Sequence, residues 1–488
     1  MSLGRNAAVN LVGAIVSSLV GIVTVPLYLH AIGADRFGVL AIGWLFLNTF
    51  GFLDFGLTRA TQYRIAANGD EDRPASARTI ATAMTLCVPI TVVGFALIWF
   101  AINYFFSGHF KSSEELRIEV LQSAYVIASC WPVVLFSAVL NGALLGRRRF
   151  VLVNISTVAS SLLFQLVPLI VAWTLGPNLR ELLIAALVGR ALPMLGLVPA
   201  LYVQFLRGCA LHFSGKEARA LLGYGQWASL TSVIATVLTM ADRFLIGALL
   251  GPVAVTIYTA PLQLAQRVSM LPAALSGALF PQLPTAAPEE RMNLQVRCIE
   301  ILMGSLTVLI GGGLLLTAPF LDLWLGKTIG GPATPVALLL FFGAWWTALA
   351  IISFSGLQAS GRPQASAAVQ AAELPPFLIG LYFGAKWAGV PGAAAVYLLR
   401  SILDYALLTW QAGLLGRTLK PTLVCAGIMT LACLAGSLYR YSVPIWFLLS
   451  AAIALALVAS GWWAAPAGDR ARLAGRLSRF VPALSRFA

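Results

Sequence analysis

Residues 11–50 read LVGAIVSSLVGIVTVPLYLHAIGADRFGVLAIGWLFLNTF, two apolar runs separated by the short polar join IGADRFG. About 20 consecutive apolar residues are enough for a helix to cross the hydrocarbon core of a bilayer. The charged pair Asp35 and Arg36 marks the point where the first run ends. This stretch therefore predicts two spanning helices joined by a tight turn.

The rest of the chain has the same apolar character. Of its 488 residues, 59% are hydrophobic and only 10% are charged, and the mean hydropathy is +0.87. In an ordinary soluble protein about a quarter of the residues are charged. The six cysteines lie in apolar runs without CxxC spacing, so they indicate neither a disulfide framework nor a zinc site. The composition predicts an integral membrane protein.

The predicted fold class is all-α, with about 14 transmembrane helices. The apolar runs lie near residues 6–32, 38–66, 78–106, 117–145, 151–175, 181–206, 221–249, 254–283, 294–321, 334–358, 364–387, 391–414, 420–438 and 443–464. A transmembrane β-barrel is excluded, because these runs far exceed the roughly ten residues of a barrel strand and do not alternate.

The basic residues predict the orientation, because Lys and Arg accumulate on the cytoplasmic side of membrane proteins. With the N-terminus inside, 20 basic residues lie in cytoplasmic segments and 7 lie on the opposite side. Both termini are therefore predicted to be cytoplasmic. The net charge of +14 follows from this asymmetry and from attraction to anionic lipid, so it does not indicate nucleic-acid binding.

Internal similarity predicts a duplication. GALLGRRRF from Gly142 and GLQASGRPQ from Gly356 follow the fourth and tenth spans, and IGADRFGVL resembles LLGPVAVTIY between spans 7 and 8. We expect two pseudo-symmetric six-helix lobes, helices 1–6 and 7–12, and an appended pair, helices 13–14. The predicted divisions are an N-terminal lobe at 1–210, a C-terminal lobe at 211–415, the appended pair at 416–465 and a basic amphipathic cytoplasmic tail at 466–488.

Charged residues inside the spans are candidates for function, because each costs about 2.5 to 3.5 kcal/mol at a span centre on insertion scales. The basic members are Arg59, Arg190, Arg243, Arg267 and Arg400; the acidic members are Asp54, Asp242, Glu373 and Asp404. The bases slightly exceed the acids. This balance suits a cavity that accepts a diphosphate, since guanidinium presents a planar fork to phosphate oxygens.

Polar stripes on two helices add further candidates for substrate binding. Span 7 carries Ser229, Ser232, Thr236, Thr239 and Arg243 at spacings of 3 or 4, and span 8 carries Thr259, Gln263 and Arg267 every four residues. The stripes either line water or serve close helix packing, for which small and hydroxyl residues are also typical. The predicted substrate-binding set is Arg59, Arg243, Arg267, Arg190, Thr239 and Gln263. For Arg190 a structural role and a substrate-binding role are equally well supported.

The buried acids are candidates for a coupling ion. A driving proton or sodium ion is predicted to bind Asp54, Asp242 or Glu373, although Asp54 is equally explained as a hydrogen-bonded packing residue. Arg400 and Asp404 are four residues apart on span 12, which predicts a structural ion pair. No catalytic set, cofactor site or metal site is indicated, so the chain is predicted not to be an enzyme.

Five motifs resemble the polysaccharide-transporter branch of the multidrug/oligosaccharidyl-lipid/polysaccharide exporter superfamily, which includes Wzx-type O-antigen and exopolysaccharide repeat-unit flippases. They are, in order, YLHAIGADRFGVLA, FLDFGLTRA, NGALLGRRRFVLVN, ADRFLIGALLGPVAVTIYTAP and LQASGRP. The resemblance implies two lobes around a central cavity that opens alternately to cytoplasm and periplasm. It also implies the bacterial inner membrane and, as partners, an undecaprenyl-diphosphate-linked oligosaccharide, membrane lipids, a polysaccharide polymerase and other assembly proteins.

Two other functions remain as alternatives. A cation-coupled multidrug antiporter of the same superfamily would be expected to rely on buried acids and about twelve helices, whereas arginines dominate the stripes here. A polysaccharide synthase or ligase would need a large hydrophilic loop or domain, and the predicted loops do not exceed about 15 residues, which is typical of plain connections. The sequence therefore favours the flippase.

Overall fold

The computed structural model of the protein describes residues 3–49, 57–68, 72–108, 110–147, 149–279, 283, 287–360 and 362–464. Within these ranges the chain is almost entirely helical, and they contain no strand. Nine of the described helices are long and apolar enough to cross a membrane. The all-α membrane fold predicted from the sequence is confirmed.

Thirteen α-helices follow one another among the described residues. They are α1 (Leu3–Thr49), α2 (Leu57–Asn68), α3 (Arg73–Gly108), α4 (Glu114–Gly146), α5 (Phe150–Thr174), α6 (Leu179–Leu201), α7 (Gly215–Leu250), α8 (Pro252–Arg267), α9 (Met270–Leu279), α10 (Pro288–Ala359), α11 (Pro363–Gln411), α12 (Leu415–Leu438) and α13 (Val443–Ala464). A π-helical turn, Tyr202–Leu206, continues α6. The helices α10 and α11 each cover two predicted spans, and α1 covers the first predicted span and the beginning of the second.

Each of these three long helices is broken at a glycine with positive φ. The φ and ψ angles are 78° and 169° at Gly33, 74° and 157° at Gly326, and 62° and −146° at Gly389. Residues other than glycine are strained at these positive φ angles. On either side of Gly33 the rings of Tyr28 and Trp44 lie 5.3 Å apart, whereas a straight helix would separate these residues by about 24 Å. The break is therefore a turn between two spans.

The chain folds into two compact units, Met1–Thr256 and Ile257–Ala488. In the first unit Gly142 of α4 lies directly against the backbone carbonyl of Thr58 in α2, so that even a methyl group would separate the two helices. The Tyr28 hydroxyl of α1 donates a hydrogen bond of 2.6 Å to the carbonyl oxygen of Gln165 in α5. Small residues and satisfied polar groups thus hold this unit together.

The core of the second unit combines aromatic rings with buried hydroxyl groups. Trp345 of α10 is fully buried, and its indole N–H donates to the Thr307 hydroxyl at 3.2 Å. The Tyr405 hydroxyl of α11 lies 3.1 Å and 2.9 Å from the hydroxyls of Thr418 and Thr422 in α12. Because these groups satisfy one another, they can be buried within an apolar core. The lobe boundaries after residues 210 and 415 stay a prediction.

Candidate functional site

The residues predicted to form a site are distributed over both units. The first unit contains Arg59, Arg190, Thr239, Asp242 and Arg243, and the second contains Gln263, Arg267, Glu373, Arg400 and Asp404. Asp54 and the side chain of Arg59 lie outside the described residues, as do the side chains of the first three members of the span 7 stripe. No three His, Cys, Asp or Glu side chains of the described residues come together as a metal site.

Arg243 and Asp242 are buried side by side on α7, with exposed fractions of 8% and 3%. Asp242 Oδ1 accepts a hydrogen bond of 2.7 Å from the backbone N–H of Arg243. Arg243 Nε is buried and finds no hydrogen-bond acceptor among the described residues. A buried polar group without a partner is costly and uncommon in native proteins. The guanidinium therefore retains a donor that an anionic ligand could use.

Thr239 precedes Arg243 by one helical turn on the same helix. It is exposed, whereas Arg243 is buried. Residues four apart lie on the same face of a helix, so the hydroxyl and the guanidinium are neighbours on α7. This is the described part of the predicted polar stripe.

Arg190 of α6 lies over an aromatic surface. Its Cζ atom is 5.7 Å from the centroid of the Phe164 ring, and that ring packs at 5.5 Å from the ring of Trp44. A guanidinium at this distance is attracted by the electrons of the aromatic face. The contact orients Arg190 and is compatible with both a structural role and a substrate-binding role.

The polar stripe on α8 runs from a buried end to an exposed end. Thr259 is 4% exposed, Gln263 is half-buried and Arg267 is exposed. Arg267 is the last residue of α8, where a cation is favoured by the negative end of the helix dipole. Its position is thus explained locally, and its exposed guanidinium is accessible to an anion.

Three ionisable side chains of α11 come together because the helix reverses at Gly389. Arg400 Nε lies 3.5 Å from Glu373 Oε2, and the Glu373 side chain is completely buried. Asp404 follows Arg400 by one helical turn, so the two side chains lie on the same face of the helix. Glu373 is the acid within 4 Å of Arg400, and the predicted pairing of Arg400 with Asp404 stays a prediction.

Two ion pairs that the sequence did not reveal join residues far apart in the chain. Arg64 of α2 contacts Glu217 of α7, with a distance of 3.0 Å from Nε to Oε2, and Arg440 Nη2 lies 2.6 Å from Asp322 Oδ1. The spacing Ser214-x-x-Glu217 is the signal of a helix start, and Ser214 Oγ indeed accepts from the Glu217 N–H. No local signal identifies the partner of Glu217.

The long apolar helices define a multi-pass membrane protein with ionisable residues inside its spans. Residues 3–286 match the family model described as "Polysaccharide biosynthesis protein". The chain belongs to this family. A Shigella flexneri protein named "Putative O-antigen transporter" is 29% identical over 421 residues, which are 84% of this chain and 97% of that protein.

Solved structures show the same fold. The lipid II flippase MurJ in an inward closed conformation superposes with a TM-score of 0.71 at 11% identity, covering 91% of this chain and 97% of that one. An inward-facing multidrug resistance MATE family transporter of the MOP superfamily gives 0.68 at 16% identity, covering 85% and 99%. At these identities the likenesses establish the fold alone. The family model confirms the resemblance to polysaccharide transporters that the sequence motifs indicated.

Proposed function

We propose that the protein is a flippase that moves an undecaprenyl-diphosphate-linked oligosaccharide, an O-antigen or exopolysaccharide repeat unit, from the cytoplasmic to the periplasmic leaflet. The observation that carries the proposal is the buried Arg243 guanidinium, whose Nε has no acceptor among the described residues, in a chain of the polysaccharide biosynthesis family. The relative named as an O-antigen transporter supports the same substrate class.

The chemistry of the head group explains why an arginine is suited to this role. A diphosphate carries several acceptor oxygens and negative charge, and charge-assisted hydrogen bonds from guanidinium are stronger than neutral ones. A buried arginine also binds more strongly than an exposed one, because the low local dielectric weakens electrostatic attraction less than water does. Arg243 would hold the diphosphate, and Arg59, Arg190 and Arg267 would share its charge; Thr239 and Gln263 would bind the first sugars.

The protein would work by alternating access in the bacterial inner membrane, with both termini in the cytoplasm. The lobes at 1–210 and 211–415 would rock around the head group, while the prenyl chain stays in the bilayer. The protein would act as a transporter and not as an enzyme. A polysaccharide polymerase would take over the substrate after its release.

Binding of undecaprenyl diphosphate to the purified protein in lipid nanodiscs tests the proposal. We expect Arg243→Ala to weaken binding at least tenfold, because loss of a buried charge-assisted contact costs about 2 to 5 kcal/mol. Arg243→Lys should restore binding only in part, since it keeps the charge and loses the planar fork. Arg117→Ala is the matched control, because Arg117 is an exposed arginine that pairs with Glu114 one turn away.

Two outcomes would contradict the proposal. The first is equal binding of undecaprenyl diphosphate by the wild type, Arg243→Ala and Arg117→Ala. The second is preferential binding of organic cations, which would favour the multidrug antiporter. In the host, deletion of the gene should cause a lipid-linked saccharide to accumulate on the cytoplasmic face, and its analysis would identify the sugar.

A further inference from the structure

Glu373, Arg400 and Asp404 form a buried charge cluster, hereafter the α11 cluster, inside the second unit. The reversal at Gly389 folds α11 back on itself, so that Gly384 and Gly392 are in close contact across the two halves. This hairpin brings Glu373 from the first half next to Arg400 from the second half. The cluster thus links the two halves of α11.

The ion pair in the α11 cluster is incompletely satisfied. The Glu373 side chain is 0% exposed, and neither of its carboxylate oxygens has a hydrogen-bond partner among the described residues. Arg400 approaches at 3.5 Å, and its guanidinium lies over the Phe377 ring at 5.1 Å. A buried ion pair repays its desolvation only when the geometry is good and the remaining lone pairs are bonded. The fully ionised pair therefore does not recover the free energy that its desolvation costs.

The charges of the α11 cluster do not cancel. Glu373 and Asp404 carry one negative charge each when ionised, and Arg400 supplies one positive charge. The helices α10 and α12 pack against α11, and among the described residues the base in ion-pair contact with Glu373 is Arg400. Asp404 lies one turn from Arg400 on the same helix. Two carboxylates sharing one site disfavour double ionisation. The cluster is therefore one positive charge short.

We propose that Glu373 and Asp404 share one exchangeable proton, and that Arg400 pairs with whichever carboxylate is ionised, so that proton binding and release drives the flippase cycle. When the proton is on Glu373, its carboxyl is neutral and Arg400 turns to Asp404, one turn along the same helix. When the proton leaves, Arg400 returns to Glu373 and ties the two halves of α11 together. The step makes or breaks only a carboxyl O–H bond, and the proton comes from water and returns to water.

A proton fits the cluster better than a metal ion. Hard cations such as Ca²⁺ and Mg²⁺ take six or more oxygen ligands, and the cluster offers two carboxylates. Arg400 has no acceptor atom and already occupies the position beside Glu373. A sodium ion at the same place would be repelled by the guanidinium. A proton adds the missing charge without needing further ligands.

The inference rests on the proposed flippase function only for its role in transport, so the first experiment uses no substrate. Infrared spectra of the purified full-length protein in lipid should show a protonated carboxylic acid whose carbonyl stretch disappears as the pH rises. We expect Glu373→Gln to remove this band and Asp404→Asn to shift its midpoint. Asp322→Asn is the matched control, because Asp322 also pairs with an arginine, Arg440, in the second unit, and it should leave the band unchanged.

The second experiment measures substrate movement in proteoliposomes under a pH gradient or a sodium gradient. In Glu373→Gln the stimulation of substrate movement by the pH gradient should fall at least tenfold, while exchange of substrate at equilibrium continues. The proposal would be overturned by an unchanged band in Glu373→Gln, by displacement of the proton on adding sodium at constant pH, or by loss of the response in Asp54→Asn alone. A titrating band without any movement of lipid-linked oligosaccharide would instead refute the proposed function.

Discussion

Arg64 and Glu217 form a two-contact ion pair although they lie 153 residues apart in the sequence. The guanidinium of Arg64 uses Nε and Nη2, and both carboxylate oxygens of Glu217 accept. Such parallel contacts fix both the distance and the orientation of the two groups. The pair joins α2 to the first turn of α7, within the first unit.

Because of this geometry, we expect Arg64 and Glu217 to stabilise the first unit more than an ordinary surface pair. The single variants Arg64→Ala and Glu217→Ala should each lower the midpoint of thermal unfolding, and the double variant should lower it by less than the sum. This double-mutant cycle should give a coupling free energy of about 1 kcal/mol, which is at the upper end for partly exposed ion pairs. The same cycle on Arg117 and Glu114, an exposed pair one turn apart, should give a smaller coupling; equal couplings would contradict the prediction.

The turn at Gly33 leads to a second prediction about stability. Its φ of 78° is unfavourable for alanine, although a Cβ atom there would meet nothing within 4 Å. Gly33→Ala should therefore destabilise the protein by about 1 to 3 kcal/mol through backbone strain alone. Gly312→Ala is the control, because Gly312 lies in a regular part of α10 with open space around its Cβ position.

Thermal unfolding of the two glycine variants gives the comparison. In a helix interior alanine is favoured over glycine by about 1 kcal/mol, so Gly312→Ala should be neutral or slightly stabilising. Opposite effects of the two substitutions would support a strained turn at Gly33. A destabilisation of similar size in both would show that the added methyl groups, and not the backbone angle, cause the loss.

The sequence located the turn between the first two spans from local properties, whereas it gave no signal for a partner of a buried charge across a hairpin. IGADRFG showed a break between two apolar runs, and the break lies at Gly33, because the length of a span and the conformational freedom of glycine are local properties. The contact of Arg400 with Glu373 depends on how α11 folds back at Gly389. Spacing alone pointed to Asp404, one turn away, since local periodicity carries no information about a neighbour across a hairpin.

The tail at 466–488 lies outside the described residues, and its membrane affinity can be tested separately. Leu473, Leu477 and Phe480 recur at helical spacing among arginines, so a peptide of this sequence should become helical on anionic vesicles and bind neutral vesicles weakly. Each arginine near an anionic surface contributes about 1 kcal/mol. Circular dichroism with both vesicle types checks this, and a peptide with Ser at the three apolar positions is the control. Equal helicity on neutral and anionic vesicles would contradict it.

Arg59 provides the sharpest test of whether an arginine within the spans serves the substrate or the fold. It lies on α2, in the same unit as Arg243. If Arg59 shares the diphosphate, Arg59→Ala should weaken binding of undecaprenyl diphosphate at least tenfold, because a desolvated charge-assisted contact is lost. Arg59→Lys should recover part of this affinity, since ammonium keeps the charge but cannot form the bidentate contact.

A structural Arg59 would behave differently in the same measurements. In that case Arg59 would pair with an acid on a neighbouring helix. Arg59→Ala would leave this acid buried without a positive partner, which costs about 3 to 5 kcal/mol of stability. Neutralising the paired acid at the same time would then restore the melting temperature. Affinity and melting temperature measured on the same purified variants separate the two roles, and a loss of stability with unchanged affinity would remove Arg59 from the binding site.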